Sequence, residues 1–180
     1  KKLKNIKIKD KKIIILKNKI NLGLGGSLNK GFAKSIGNYI MWMPGDNAHS
    51  LKDINNILKK IKTEKFDIII PTNDKSKRSL IREVFSKGYT ILLNIIFYKK
   101  IKYYNGAVVY NKKILKKINR SISSKSHFFL AETLIRAMNI KCNYCYLSCS
   151  VRKQNVSNAI SIKSLISIFI DILKLKIKLL

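Results

Sequence analysis

The spacing of apolar residues changes several times along the chain, and each change marks an element. "KIIIL" at 12–16 is an unbroken apolar run of strand length, which predicts a strand covered on both faces. Glycines at 23, 25 and 26 follow. From Ser27 to Ile36, Leu28, Phe32, Ala33 and Ile36 recur at helical spacing, and Gly37 stands where a left-handed helix stop is expected. "YIMWMP" at 39–44 predicts a second strand. Ser50 then precedes "LKDINNILKKIK" with Asp53 three places on, the signature of a capping box, and Leu51, Ile54, Leu58 and Ile61 form the expected buried stripe.

"FDIII" at 66–70 predicts a third strand, halted by Pro71. A long helix is expected over 79–98, irregular at Gly88, then a short strand in "GAVVYN" and a helix capped by Asn111 and ending near Ile118. Phe128 to Met138 reads as helix and 140–152 as a last strand. Strands alternating with helices predict an α/β layered domain with a mostly parallel sheet flanked by helices.

The final stretch, 159–180, reads as a separate amphipathic helix after a domain over 1–158. Lys163, Asp171, Lys174, Lys176 and Lys178 interrupt its apolar run, so it falls short of the roughly 18 uninterrupted apolar residues of a membrane span. Its broad face, from Ile162 through Phe169 to Ile177, suits either the domain's own core or a membrane interface, and periodicity alone leaves both open.

Composition narrows the field. A chain of 180 residues, 46% hydrophobic, suffices for one domain with a core. The net charge of +29 is carried by lysines spread over most segments of an Ile- and Asn-rich chain, with neither a basic-aromatic repeat nor a nucleic-acid module. It predicts attraction to anionic membrane surfaces and phosphorylated ligands, and no specific nucleic acid. Cys142, Cys145 and Cys149 lie in one short run, an odd number that argues against a disulfide framework and for a reducing compartment. Without a second pair of ligands they do not make a zinc site, and they read as small apolar residues in a buried strand.

The glycines invite comparison with phosphate cradles, but the third glycine of the dinucleotide fingerprint is Leu28, and Phe32 and Ala33 stand where a P-loop needs Lys and Ser or Thr. Close backbone approach is what they supply: Gly23, Gly25 and Gly26 let main chain pass, and Gly31 is expected to let the helix lie tight on a neighbour.

The wider pattern is more specific. Asn21-x-Gly23, Gly31, Ala33, Gly37, Tyr39, Met43 and an acidic residue closing the strand resemble glycosyltransferase family 2, whose members have the GT-A fold. "YYNGAVVYNKKIL", "FFLAETLIRAM" and "VRKQNVSNAISIK" resemble later segments of that family in the right order, closest to its polyprenyl-phosphate sugar transferases. The resemblance also implies an earlier nucleotide-binding segment that nothing here matches. The chain is therefore expected to be N-terminally truncated, with residues 1–9 the tail of the helix before.

That family transfers a sugar from a nucleotide-sugar donor. It implies here a lipid-phosphate or glycan acceptor at the cytoplasmic, inner face of the cell membrane. In its Asp-x-Asp position the chain has Pro44-Gly45-Asp46, so Asp46 is the implied metal ligand for Mg2+ or Mn2+; alternatively it only opens the turn before Ser50. Glu132 is the implied catalytic base, among apolar neighbours expected to desolvate it, or else an exposed helix charge paired with Arg136 at i+4. Arg152 is a phosphate contact, and Asn21, Gly23, Gly25, Asn105 and Gly106 complete the implied substrate-binding set. A non-catalytic, transferase-like module that sits on anionic membranes is the alternative reading.

Overall fold

In a computed structural model, which describes residues 13–45, 49–72, 80–118, 122–150 and 162–180, the elements run α1 (Gly23–Lys34), β1 (Tyr39–Met41), α2 (Leu51–Thr63), β2 (Ile68–Thr72), α3 (Leu80–Phe97), β3 (Val109–Asn111), α4 (Lys112–Ile118), α5 (Phe129–Met138), β4 (Tyr144–Ser148) and α6 (Ile162–Leu179). The strands form a four-stranded sheet in the order β1-β3-β2-β4. β3 runs antiparallel to both β1 and β2, while β2 and β4 are parallel, with Ile68 opposite Tyr144 and Thr72 opposite Ser148. The sheet is mixed, not mostly parallel: β3 returns against its neighbours, a direction that strand-helix alternation in the sequence does not encode.

Ile68, Ile69 and Ile70 are fully buried, as the unbroken apolar run requires. Ile68 and Ile70 join the larger apolar cluster with Leu93, Phe97, Phe128, Leu134, Ile172 and Leu175; Ile69 joins a smaller one with Val109 and Ile57 on the other face. Each such side chain contributes about 1.5–3 kcal/mol.

Several expectations are corrected. β2 continues through Pro71 to Thr72. It pairs with β3 only at Ile68 and Ile69, so Pro71 falls beyond that ladder, where a missing N–H costs nothing. Residues 13–18 have no regular secondary structure and Ile14 is 60% exposed: among the described strands none pairs with the run, and an apolar segment without a ladder partner is not a covered strand. The glycines precede no helix; they are its first turn, since α1 starts at Gly23. Its C-cap is Ser35, whose hydroxyl and N–H both donate to the Gly31 carbonyl, and Gly37 has no left-handed φ.

α2 is rotated from the expected stripe. Its buried residues are Asp53 and Ile57, while Leu51 and Leu58 are exposed. Two forces turn it: Ile57 packs under Ile69, and Asp53 is drawn inward by hydrogen bonds described below. β4 is an edge strand and half-exposed. Of the three cysteines, only Cys149 is buried.

Candidate functional site

Because β1, β2 and β4 run one way and β3 the other, one end of the sheet collects three carboxyl ends and the amino end of β3. Such a strand-end edge is where ligands of α/β sheets bind. Trp42, just past β1, donates its indole N–H to the Gly106 carbonyl at 3.0 Å. Gly106 lies against β2 so closely that a Cβ would stand 2.8 Å from the Pro71 carbonyl oxygen, so only glycine fits. Beyond β4, Cys149 donates its N–H to the Thr72 carbonyl at 2.8 Å and extends the parallel pair.

Asn105, beside Gly106, is exposed, on a loop anchored from α3. Asn94 donates to the Ile101 carbonyl at 2.9 Å and accepts the Ile101 N–H at 3.0 Å, and Tyr104 donates its hydroxyl to Asn94 at 2.8 Å. Burial pushes the Tyr104 phenol well above its ordinary value, followed by repulsion from Tyr146, so it serves as a neutral donor.

At the same end Asp53 is buried. Its Oδ2 accepts the Ser50 hydroxyl at 2.7 Å, the Ser150 hydroxyl at 3.0 Å and the Ser150 N–H at 3.3 Å, while the Asp53 N–H donates to Ser50 Oγ at 3.1 Å. Burial pushes this carboxyl up, but the Ser50 and Ser150 donors together outweigh it and hold it below the usual aspartate value. The capping box was legible in the sequence. The clasp on Ser150, 97 residues away, was not.

A second constellation surrounds Glu132. It is 1% exposed on α5, and its carboxylate accepts the Ser124 N–H at 2.8 Å, the Ser123 N–H at 3.2 Å and the Arg136 Nε at 2.8 Å. The predicted pairing with Arg136 is present, in the interior. The same loop presses on α1: Gly25 donates its N–H to the Lys125 carbonyl at 3.1 Å, and a Cβ on Gly25 would lie 2.6 Å from the Ser124 oxygen. Asn21 Oδ1 accepts the Gly23 N–H at 2.9 Å, fixing the left-handed Gly23 (φ 68°) that starts the helix. A Cβ on Gly31, which was expected to lie tight on a neighbour, would meet nothing within 4 Å, whereas Gly25 makes the close approach expected of it, against the chain's own backbone. Ser124 and Ser126 in turn donate their hydroxyls to Asp171 of α6 at 2.6 and 2.7 Å.

Asp46 and Arg152 lie outside the described residues, in the segments that follow β1 and β4. Among the described residues no three His, Cys, Asp or Glu side chains gather as a metal site, and Asp53 Oδ2 is taken up by serine donors.

Comparison with known proteins bears on this arrangement. The model of the family described as "Glycosyl transferase family 2" matches residues 1–129, a stretch that ends before Glu132 and Arg152. A dolichyl-phosphate beta-glucosyltransferase of Dictyostelium discoideum is 33% identical over 102 residues, covering 50% of this chain and 31% of that protein. Among solved structures, glucosyl-3-phosphoglycerate synthase from Mycobacterium tuberculosis in complex with Mg2+ and uridine diphosphate superposes with a TM-score of 0.61 at 13% identity, covering 90% of this chain and 56% of that one. The same enzyme in complex with phosphoglyceric acid gives a TM-score of 0.58 at 12% identity. The likeness establishes a GT-A-like fold. The chain spans about a third of the curated relative's length and little more than half of the solved enzyme's.

Proposed function

This chain belongs to glycosyl transferase family 2, and from that premise we propose that it works in the transfer of a sugar from a nucleotide-sugar donor to a lipid-phosphate or glycan acceptor. The observation that carries the reading is the sheet end. Strands β1 and β4 discharge there into the segments bearing Asp46 and Arg152, and β3 starts there just after Asn105 and Gly106. The synthase of the same fold is solved with Mg2+ and uridine diphosphate, which favours a uridine diphosphate sugar as donor.

In this reading Arg152 contacts phosphate with its forked guanidinium, and Asn105, fixed by the Asn94 and Trp42 anchors, faces the sugar. Asn21, Gly23 and Gly25 set the start of α1 against the Glu132 loop and so shape the substrate side. Asp46 would hold Mg2+ or Mn2+ through its carboxylate, and the ion would supply positive charge for the departing diphosphate. Glu132 takes the acceptor proton, for which its weakest contact, Ser123 N–H to Oε2 at 3.4 Å, has to give way. The work takes place at the inner, cytoplasmic face of the membrane.

One observation favours a second role for Glu132. Both its oxygens already accept backbone N–H groups, which suits a group that positions the 123–126 loop and leaves base work to another residue. The membrane-binding module without catalysis remains the rival for the chain as a whole.

The test is donor turnover with Mg2+ or Mn2+ in the full-length protein and in Asp46→Ala, Glu132→Gln and Glu132→Ala forms. Loss of about 10²-fold or more in kcat for Asp46→Ala and Glu132→Gln, with the fold intact, is expected. Unchanged turnover in both ends the enzymatic reading; a Glu132→Gln form that loses stability but keeps kcat assigns it to the loop.

A further inference from the structure

The last helix, α6, has two apolar faces. One is spent on the core: Ile172 and Leu175 are buried, and Asp171 clasps Ser124 and Ser126. The other faces outward. Leu165, Phe169 and Leu173, at helical spacing, are about half exposed, with Phe169 at 57%. The clasp fixes the rotation of the helix, so this outer row cannot turn inward without breaking both serine bonds.

α3 repeats the pattern. Leu93 and Phe97 are buried, while Ile91, Ile95 and Tyr98 are exposed, with Ile95 at 68%. The two helices meet at their ends, where Lys176 of α6 donates to the Ile96 carbonyl at 2.8 Å and lies 4.4 Å from the centre of the Tyr98 ring. Isolated exposed leucines call for no explanation, but two rows on adjoining helices mark an interaction surface.

We propose that the outer faces of α3 and α6 together form a docking surface for an anionic membrane, lying in the interface without crossing it. The charge pattern selects that occupant. The one acidic residue of α6, Asp171, is turned inward, while Lys163 and Lys174 are exposed, so the outer face offers only positive charge. On α3, Glu83 is neutralised by Lys87 at 2.8 Å; residues 88–98 carry no charge, and Lys99 and Lys100 follow. Apolar side chains rimmed by lysines bury their rows among acyl chains while the ammonium groups reach phosphate headgroups. A second copy of the chain is the poorer fit, because two molecules of net charge +29 would bring like-charged faces together. No helix among the described residues is long and apolar enough to cross a membrane.

This inference deepens the peripheral placement proposed above and rests on it. Its test reads binding without turnover, so failure of docking and failure of transfer are separable. The full chain is sedimented with vesicles of phosphatidylcholine alone and of equal parts phosphatidylcholine and phosphatidylglycerol. Binding at least about tenfold tighter to the mixed vesicles is expected. Phe169→Ser with Leu173→Ser, and separately Ile91→Ser with Ile95→Ser, are each expected to weaken it by about tenfold or more. Phe169→Trp and Ile95→Trp forms provide a second measure, since brominated acyl chains are expected to quench both added indoles. A serine pair on either helix that leaves binding unchanged, or an added indole that escapes quenching, overturns the two-helix face. Equal binding to neutral vesicles overturns the charge argument, and self-association that the serine pairs abolish reassigns the surface to copies of the chain.

Discussion

Glu132 Oε2 accepts the backbone N–H of Ser124 at 2.8 Å, while the hydroxyl of the same Ser124 donates to Asp171 at 2.6 Å. One serine thereby joins α5 to α6, and its loop also bears on the start of α1 through Gly25. Whatever chemistry takes place near Glu132, the placement of that loop is shared by three helices.

Removing the carboxylate strands its partners. Glu132→Ala is expected to destabilise the fold by about 3–5 kcal/mol, because Arg136 and the Ser124 N–H stay buried without an acceptor. One Arg136 Nη atom is already buried without a partner, so the guanidinium has little to fall back on. Denaturant unfolding midpoints check this, and Glu132→Gln should cost less.

Asp171→Ala takes the acceptor from both serine hydroxyls and should cost about 1–3 kcal/mol. A double-mutant cycle with Ser124→Ala isolates the pair. A coupling of at least about 0.5 kcal/mol is expected, and additivity would mean that the clasp contributes little.

Gly25→Ala sets a methyl group 2.6 Å from the Ser124 oxygen and 2.8 Å from Phe129 Cβ, which α1 can relieve only by moving off α5. A loss of about 1–3 kcal/mol is expected. Gly31→Ala is the contrast: its Cβ meets nothing within 4 Å, and a gain of up to about 1 kcal/mol follows from helix propensity. Thermal unfolding of both distinguishes crowding from propensity.

Asp53 makes stability depend on acid. Its folded-state carboxyl lies below the ordinary value, so the unfolded chain binds its proton more readily. The contribution is fully present above about pH 4 and is lost as pH falls through the depressed folded value. Asp53→Asn should flatten this part of the stability profile, with little left for acid to remove; urea titrations at a series of pH values read the difference.

Element order was largely legible because it follows from short-range rules. The Ser50 and Asn111 caps use donors only two or three residues away, and the structure has both, with the Lys113 N–H on Asn111 at 2.9 Å. The errors fall where a distant partner decides. Asp53 read only as the acidic half of a capping box, outside the expected buried stripe, yet Ser150 draws it inward and turns α2 with it. "KIIIL" looked like a covered strand, but the period of a sequence names no ladder partner. For the site, the glycine cluster was visible as a place of close approach, while the 124–129 segment that makes the approach was not.

By itself, then, the sequence determined the family pattern, the Ser50 and Asn111 caps, the apolar run of β2 and the broad apolar face of 159–180, all set by spacing along the chain. Tertiary structure alone decided that β3 reverses, that Glu132 meets backbone donors in the interior, and which of the apolar faces of α6 is spent on the core. The division has a physical cause: local hydrogen bonds and periodicity are fixed within a few residues, whereas direction, rotation and burial are settled only when groups as far apart as Ser124 and Asp171 find each other.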